Sequence, residues 1–187
     1  MTAEDKILNK IFYKYYKHNP ELRRIVWLHS KSVALKALKI CKEKDLPLEP
    51  YDVYMAAMLH DIGVVKCRAA SIYARGKLPY LQHGIAGYQM LNESGLHKYS
   101  NICKTHIGTG ISKEEIKERN LPLPYEDIMP ETLLEKLICY SDNFYSKSHN
   151  LTEEKNFESV INQVSKFGQQ SLDRFLEMDA LFGNSSE

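Results

Sequence analysis

Several histidines and aspartates of the sequence could together bind metal ions. They offer imidazole nitrogen and carboxylate oxygen, and they outnumber the four ligands of a structural zinc site while lacking its thiolates. Such a set suits two transition-metal ions, which in hydrolytic sites lie about 3.5 to 4 Å apart and share a bridging group. The candidate ligands are His29, His60, Asp61, His83, His106 and Asp142. We therefore predict a site that binds metal and activates water.

Two of the candidates lie on apolar faces of predicted helices. His29 shares a face with Val33 and Ile40, and Asp142 shares one with Ile138, because residues three or four positions apart lie on the same side of a helix. Taken alone, each of these polar residues would more often be a satisfied member of the core. A buried carboxylate is costly without a partner, so Asp142 is expected to have one.

The adjacent pair His60 and Asp61 requires the end of a helix. Consecutive helical residues point about 100° apart, so both side chains reach one centre only where the helix ends or bends. Gly63 is interpreted as the left-handed residue that ends it. His83 and His106 also lie at predicted helix boundaries. Asp61, between the two halves of the ligand set, is the predicted catalytic and bridging carboxylate.

Apolar residues recur at helical spacing along nearly the whole chain, and no sustained alternation indicates a strand. We predict an all-α, single-domain bundle of about seven or eight helices, with residues 64–80 as a loop. Capping boxes are predicted at Ser112 with Glu115 and at Thr132 with Glu135, each opening a helix. The first predicted helices span residues 4–17, 21–44, 50–60, 83–94 and 97–106.

The charge and the cysteine content of the chain indicate which binding partners and which cellular compartment to expect. The net charge is +1, from 25 Lys plus Arg against 24 Asp plus Glu, so no broad field favours duplex nucleic acid or a membrane surface. The four cysteines form no C-x-x-C pair, which indicates reduced thiols. The first residues lack the pattern of a signal peptide, and no apolar run is long enough for a membrane span. We expect a cytoplasmic protein.

The order of these motifs resembles the HD superfamily of metal-dependent phosphohydrolases, whose pattern is H, then HD, often two further H, then D. The segment MLHDIG at 58–63 is the HDIG form, LQHGIAGYQML at 81–91 and KTHIGTG at 104–110 resemble the later histidine segments, and TLLEKLICYSDN at 132–143 resembles the final helix. The arrangement is similar to small stand-alone HDIG proteins, and shares features with HD-type symmetrical diadenosine tetraphosphate hydrolases.

The resemblance implies one HD domain over residues 1–187, with a core at 22–148 and C-terminal helices at 149–187 packed on it. It implies hydrolysis of a small phosphate compound such as a nucleotide. The implied cofactor is a pair of divalent metal ions, which could be iron, manganese, zinc, nickel or cobalt. Charged side chains of the 64–80 loop would then contact the phosphate. These predicted substrate-binding residues are Lys66, Arg68, Arg75 and Lys77.

Other functions remain open on the sequence alone. The HD superfamily includes a helical di-iron inositol oxygenase with a comparable ligand set. A non-catalytic sensor of metal or nucleotide would also use such a site. A one-metal hydrolase is a further alternative, in which His83 and His106 contact phosphate instead. The C-terminal helices offer a surface for a homodimer.

Overall fold

The computed structural model describes residues 3–148 and 150–183, with side chains from residue 6 onward. In this part of the chain nine α-helices occur, one more than the upper predicted number. They are α1 (Ala3–Tyr16), α2 (Pro20–Glu43), α3 (Pro50–Leu59), α4 (His83–Glu93), α5 (His97–Thr105), α6 (Lys113–Glu118), α7 (Leu133–Asp142), α8 (Phe157–Val164) and α9 (Gln169–Phe182). The predicted all-α fold is confirmed.

The helix ends follow local sequence rules. Asn19 caps α2 by accepting a hydrogen bond from the Leu22 backbone N–H at 3.2 Å, and Pro20 occupies the first turn, where a missing N–H costs nothing. Both predicted capping boxes are confirmed, at the starts of α6 and α7. These signals are local, which is why the sequence alone located them.

Helix α2 is central to the bundle. It packs against α3 on one side and α7 on another, and α4 packs against α5. The side chains of Val33 and Ala37 on α2 are completely buried, so the predicted apolar face of α2 does point into the core. That packing also turns His29, which shares the face, towards the middle of the protein.

The segment predicted as a loop contains short regular elements. A 3-10 helix spans Ile62–Lys66, and two strands, β1 (Arg68–Ala69) and β2 (Ala74–Arg75), form an antiparallel hairpin. Two further 3-10 turns lie at Ala70–Ile72 and Tyr80–Gln82. Strands of two residues are too short to produce an alternating pattern, so the sequence offered no sign of them.

The interpretation of Gly63 as a left-handed helix stop is wrong. Gly63 lies within the 3-10 helix that follows α3 and is not among the residues with positive φ. A Cβ atom there would lie 2.0 Å from the carbonyl oxygen of His83, so glycine is required for close approach of α4. The pair His60 and Asp61 nevertheless follows the end of α3, as predicted.

The C-terminal helices pack on the rest of the bundle. The ring of Phe175 on α9 stacks on Tyr140 of α7 with centroids 5.4 Å apart, and Val160 and Val164 of α8 are buried. Gly168, at φ 106°, ends the 3-10 turn between α8 and α9. Of the helices described, none combines the length and the apolar character needed to cross a membrane.

Candidate metal centre

The six candidate ligands converge from five segments that are far apart in sequence. His29 comes from the middle of α2, while the others stand at helix boundaries: His60 and Asp61 just after α3, His83 at the start of α4, His106 just after α5, and Asp142 at the end of α7. All except Asp142 are buried, and its side chain is 15% exposed. A buried cluster of this composition is unusual without a partner for its charges.

Asp61 lies between two pairs of imidazoles. Its Oδ2 is 3.3 Å from His29 Nε2 and 3.2 Å from His60 Nε2. Its Oδ1 is 3.5 Å from His83 Nε2 and 3.4 Å from His106 Nε2. One carboxylate thus faces both halves of the cluster with different oxygens, which is the geometry that a bridging ligand requires.

Asp142 completes the half of the cluster that contains His29 and His60. Its Oδ1 lies 2.8 Å from His29 Nε2 and 3.4 Å from His60 Nε2. Two groups of ligand atoms result, each with all atoms within 4.8 Å of one another. The first contains His29, His60, Asp61 and Asp142, and the second contains Asp61, His83 and His106. Each group could hold one metal ion, with Asp61 shared.

Backbone carbonyl groups orient three of the imidazoles. His60, His83 and His106 each place Nδ1 at hydrogen-bond distance from a carbonyl oxygen, which can only accept. Nδ1 therefore carries a proton, and Nε2 is the nitrogen left to bind a cation. The carbonyl partners are those of Ala57 at 2.6 Å, Tyr80 at 2.7 Å and Cys103 at 2.8 Å, respectively.

Unpaired buried atoms support a fit to metal ions. His60 Nε2 and Asp61 Oδ1 are buried without a hydrogen-bond partner, an arrangement that native proteins generally avoid. Burial lowers the pKa of His60, but Asp61 and Asp142 outweigh it and raise that pKa to about 10. The protein thus attracts positive charge to His60 Nε2, where a proton and a metal ion would compete. The nitrogen and oxygen donors fit transition metals.

Lys147 is part of the centre, although no sequence pattern selected it. Its Nζ lies 2.8 Å from Asp61 Oδ2 and 3.7 Å from Asp142 Oδ1, and its side chain is 15% exposed. Burial opposes its charge, but Asp142 and Asp61 raise its pKa. It lies beyond the end of α7, outside any helical spacing from Asp142, and is one of 25 Lys and Arg residues. No periodic signal therefore distinguished it.

The charges within the centre stabilise one another. Burial alone would raise the pKa of Asp61 and of Asp142, yet both lie well below the usual range, chiefly because of Lys147. The pKa of His83 is lowered to about 3 by burial and by the neighbouring His106. His83 is therefore neutral, as a metal ligand must be.

A cavity opens beside the cluster, and we call it the Lys147 cavity. Its volume is about 370 Å³. It is lined by Ala69, Ser71, Ile72, Tyr80, Tyr145, Ser146, Lys147, Ser148, Lys155 and Gln163. Lys147 and Tyr80 connect it to the cluster, since Lys147 contacts Asp61 and the Tyr80 ring lies 4.9 Å from the His83 ring.

The predicted substrate-binding residues lie elsewhere. Lys66, Arg68, Arg75 and Lys77 are all exposed, on and around the β1–β2 hairpin. None of the four lines the Lys147 cavity. The structure therefore does not bring these four side chains into the cluster, and their contact with substrate stays a prediction.

One family model, that of the HD domain, matches residues 26–146 of the chain. The matched range contains all six candidate ligands and ends immediately before Lys147. An uncharacterized protein of Methanocaldococcus jannaschii is 36% identical over 103 residues, which make up 54% of this chain and 53% of that protein. No solved structure matches.

Two further relatives are named tRNA (cytidine(56)-2'-O)-methyltransferase. The protein of Picrophilus torridus is 28% identical over 134 residues, covering 67% of this chain and 36% of that protein. The protein of Thermoplasma volcanium is 28% identical over 141 residues, covering 75% of this chain and 36% of that protein. The chain thus spans about half the length of the first relative and little more than a third of the other two.

Proposed function

Because the chain belongs to the HD domain family, a family of the metal-dependent phosphohydrolase type, we propose that it hydrolyses a nucleotide or another small phosphate ester. One observation carries the proposal: the two oxygens of the buried Asp61 carboxylate face separate pairs of imidazoles, with four distances of 3.2 to 3.5 Å. A carboxylate placed in this way suits a two-metal hydrolytic centre.

In this proposal the side chains of the cluster bind and orient. When bound, two divalent ions would lower the pKa of a water towards neutrality and neutralise phosphate oxygens. Asp61 holds the two halves of the cluster in register, and the carbonyls behind His60, His83 and His106 keep each Nε2 pointing inward. Phosphoryl transfer needs mainly positioning and charge stabilisation, so no covalent protein nucleophile is required.

The proposed cofactor is a pair of divalent iron, manganese, zinc, nickel or cobalt ions, since imidazole and carboxylate accept each of these and cellular availability overrides affinity order. The proposed partner is a small phosphate compound. Neither duplex nucleic acid nor a membrane is proposed as a partner. The free cysteines Cys41, Cys67, Cys103 and Cys139 support a reducing compartment such as the cytoplasm.

The names of the two tRNA methyltransferases do not change this proposal. The present chain covers only 36% of each of them, and the HD match lies over residues 26–146 here. Methyl transfer is named for those whole proteins, and we do not assign it to the part that this chain shares with them.

The test combines metal analysis with a survey of substrates. The protein is purified without chelator, its metals are counted by elemental analysis, and phosphate release is followed with nucleotides, dinucleoside polyphosphates and simple monoesters. Asp61→Asn should abolish metal-dependent turnover while the helical circular dichroism is retained. Asp173→Asn, at an exposed position of α9, is the matched control and should behave as wild type.

Other results would identify the alternatives. Oxygen uptake with a polyol, in place of phosphate release, would overturn the proposal in favour of a di-iron oxygenase. Tight nucleotide binding without any product would overturn it in favour of a sensor.

A further inference from the structure

We propose that the Lys147 cavity is the substrate site, that it accepts a phosphate monoester with a planar organic part, and that Lys147 Nζ binds the phosphate. This inference rests on the proposed function and deepens it by naming the class of substrate. It differs from the sequence-based prediction, which assigned the phosphate contacts to the 64–80 loop, with Lys66, Arg68, Arg75 and Lys77.

Lys147 lies between the cluster and the cavity. Its Nζ is 2.8 Å from Asp61 Oδ2, an oxygen that also faces two candidate metal-ligand imidazoles. Cations bound there would repel the ammonium group and compete with it for the same oxygen. The lysine side chain is flexible, and the cavity is the space beside it, so the ammonium group can turn to meet an anion there.

The positive charge available to a substrate in the cavity is small. Among the described residues that line the cavity, the cations are Lys147 and Lys155. Lys155 Nζ donates to the carbonyl oxygens of Asn143 and Tyr145 and to Gln163 Oε1, at 2.9 to 3.1 Å. These bonds use all three of its protons, so Lys155 holds the loop after α7 in place. One cation remains for substrate, which suits a single phosphate group better than a polyphosphate chain.

The remaining wall of the cavity suits an organic group. Tyr80, Tyr145 and Ile72 supply aromatic and apolar surface, and Ser71 and Ser148 supply hydroxyl groups. A volume of about 370 Å³ lies in the range of sites for small molecules. Because the Tyr80 ring also touches the His83 ring, with centroids 4.9 Å apart, a phosphate near the cluster would leave the organic part of the ester beside these aromatic rings.

The test uses the metal-loaded protein and inorganic phosphate as the probe. Phosphate affinity is measured by isothermal titration calorimetry for wild type, Lys147→Gln and Lys147→Arg. Lys77→Gln tests the sequence-based prediction, and Lys31→Gln, whose lysine is exposed on α2, is the control. Losing one charge-assisted hydrogen bond should weaken phosphate binding about ten- to a hundredfold in Lys147→Gln. Lys147→Arg should recover part of the loss, and Lys31→Gln should match wild type. Metal content, counted in each variant, should stay at the wild-type value.

The same variants are assayed with p-nitrophenyl phosphate, adenosine monophosphate and diadenosine tetraphosphate. We expect wild type to prefer the monoesters, and Lys147→Gln to raise their KM by a similar factor. The inference would be overturned if Lys147→Gln kept the wild-type phosphate affinity or lost its metal. It would also be overturned if phosphate binding weakened in Lys77→Gln instead. Faster cleavage of the tetraphosphate would overturn the substrate class. A wild-type protein with no phosphate release from any compound would contradict the proposed function itself.

Discussion

His83 Nε2 lies 3.0 Å from His106 Nε2 in the buried centre. Both rings direct Nδ1 towards a backbone carbonyl, of Tyr80 and of Cys103, so in the neutral rings both Nε2 atoms carry lone pairs rather than protons. Two lone pairs at this distance repel unless a cation lies near them both. Asp61 Oδ1, 3.5 and 3.4 Å from the two nitrogens, provides the third donor that such a cation would use.

The first prediction concerns this half of the cluster. The double substitution His83→Gln with His106→Gln should lower the bound metal from about two ions to about one and reduce turnover by at least about a hundredfold, since one of two cooperating ions is lost. Elemental analysis and phosphate release measure the two effects. If the variant kept its metal content and only its KM rose, the two histidines would contact phosphate, as in the one-metal alternative.

The second prediction concerns Gly63. A Cβ at this position would meet the His83 carbonyl oxygen at 2.0 Å, so Gly63→Ala must push α4 away. We expect a loss of about 1 to 3 kcal/mol in the free energy of unfolding, as is typical of overpacking, together with a lower metal content because His83 moves. Urea unfolding and elemental analysis provide the measurements.

Gly95→Ala provides the contrast for that experiment. Gly95 has φ 73°, and a Cβ added there would have no atom within 4 Å. The substitution should therefore lower the free energy of unfolding only through the unfavourable backbone conformation of alanine, by about 1 kcal/mol. Its metal content should not change. Equal metal loss in both variants would show that general destabilisation, and not the position of α4, controls the centre.

The third prediction concerns metal removal. Ligands that bind only the folded state stabilise it, by about 2.7 kcal/mol for one site at a hundred times Kd. For a chain of this size that corresponds to roughly 5 to 10 °C in Tm. Adding the metal found in the preparation to chelator-treated wild type should therefore raise Tm by about this amount. Asp61→Asn should show little rise, and an equal rise in that variant would place the bound metal elsewhere.

The fourth prediction is a pH dependence outside the centre. Glu115 Oε1 accepts a hydrogen bond from Arg174 Nη2 at 3.0 Å, and its Oε2 accepts one from the Ser112 backbone N–H at 2.8 Å. Burial raises the pKa of Glu115, but Arg174 and Ser112 outweigh it and the net shift is downward. The ionised carboxylate thus contributes stability above its unfolded-state pKa of about 4.3, and that contribution is lost as the pH falls through the folded-state value.

We therefore expect Glu115→Gln to be less stable than wild type by about 1 to 3 kcal/mol at pH 7. The difference should shrink as the pH falls below about 4. Urea unfolding at several pH values measures it, with the exposed Glu114→Gln as the control. A difference that stayed constant with pH would show that the charge of Glu115 is not the source of its contribution.

The sequence by itself determined the local features and selected the six candidate ligands. Helical periodicity located the face that carries His29 and Val33, and the capping boxes at Ser112 and Thr132 located the starts of α6 and α7. These features depend on residues within a few positions of one another, where spacing follows from helix geometry. The order of the histidine and aspartate motifs along the chain indicated the family. That order can be recognised without knowing any distance between the residues in space.

Only the tertiary structure decided how distant segments meet. Lys147 contacts Asp61 from beyond the end of α7, and nothing in the spacing of the two residues predicts that contact. Gly63 is glycine because another helix approaches it, and not because of its own backbone angle. The proton positions on His60 and His83 depend on which carbonyl each ring reaches. Such contacts arise from the packing of whole elements, which short-range sequence patterns do not encode.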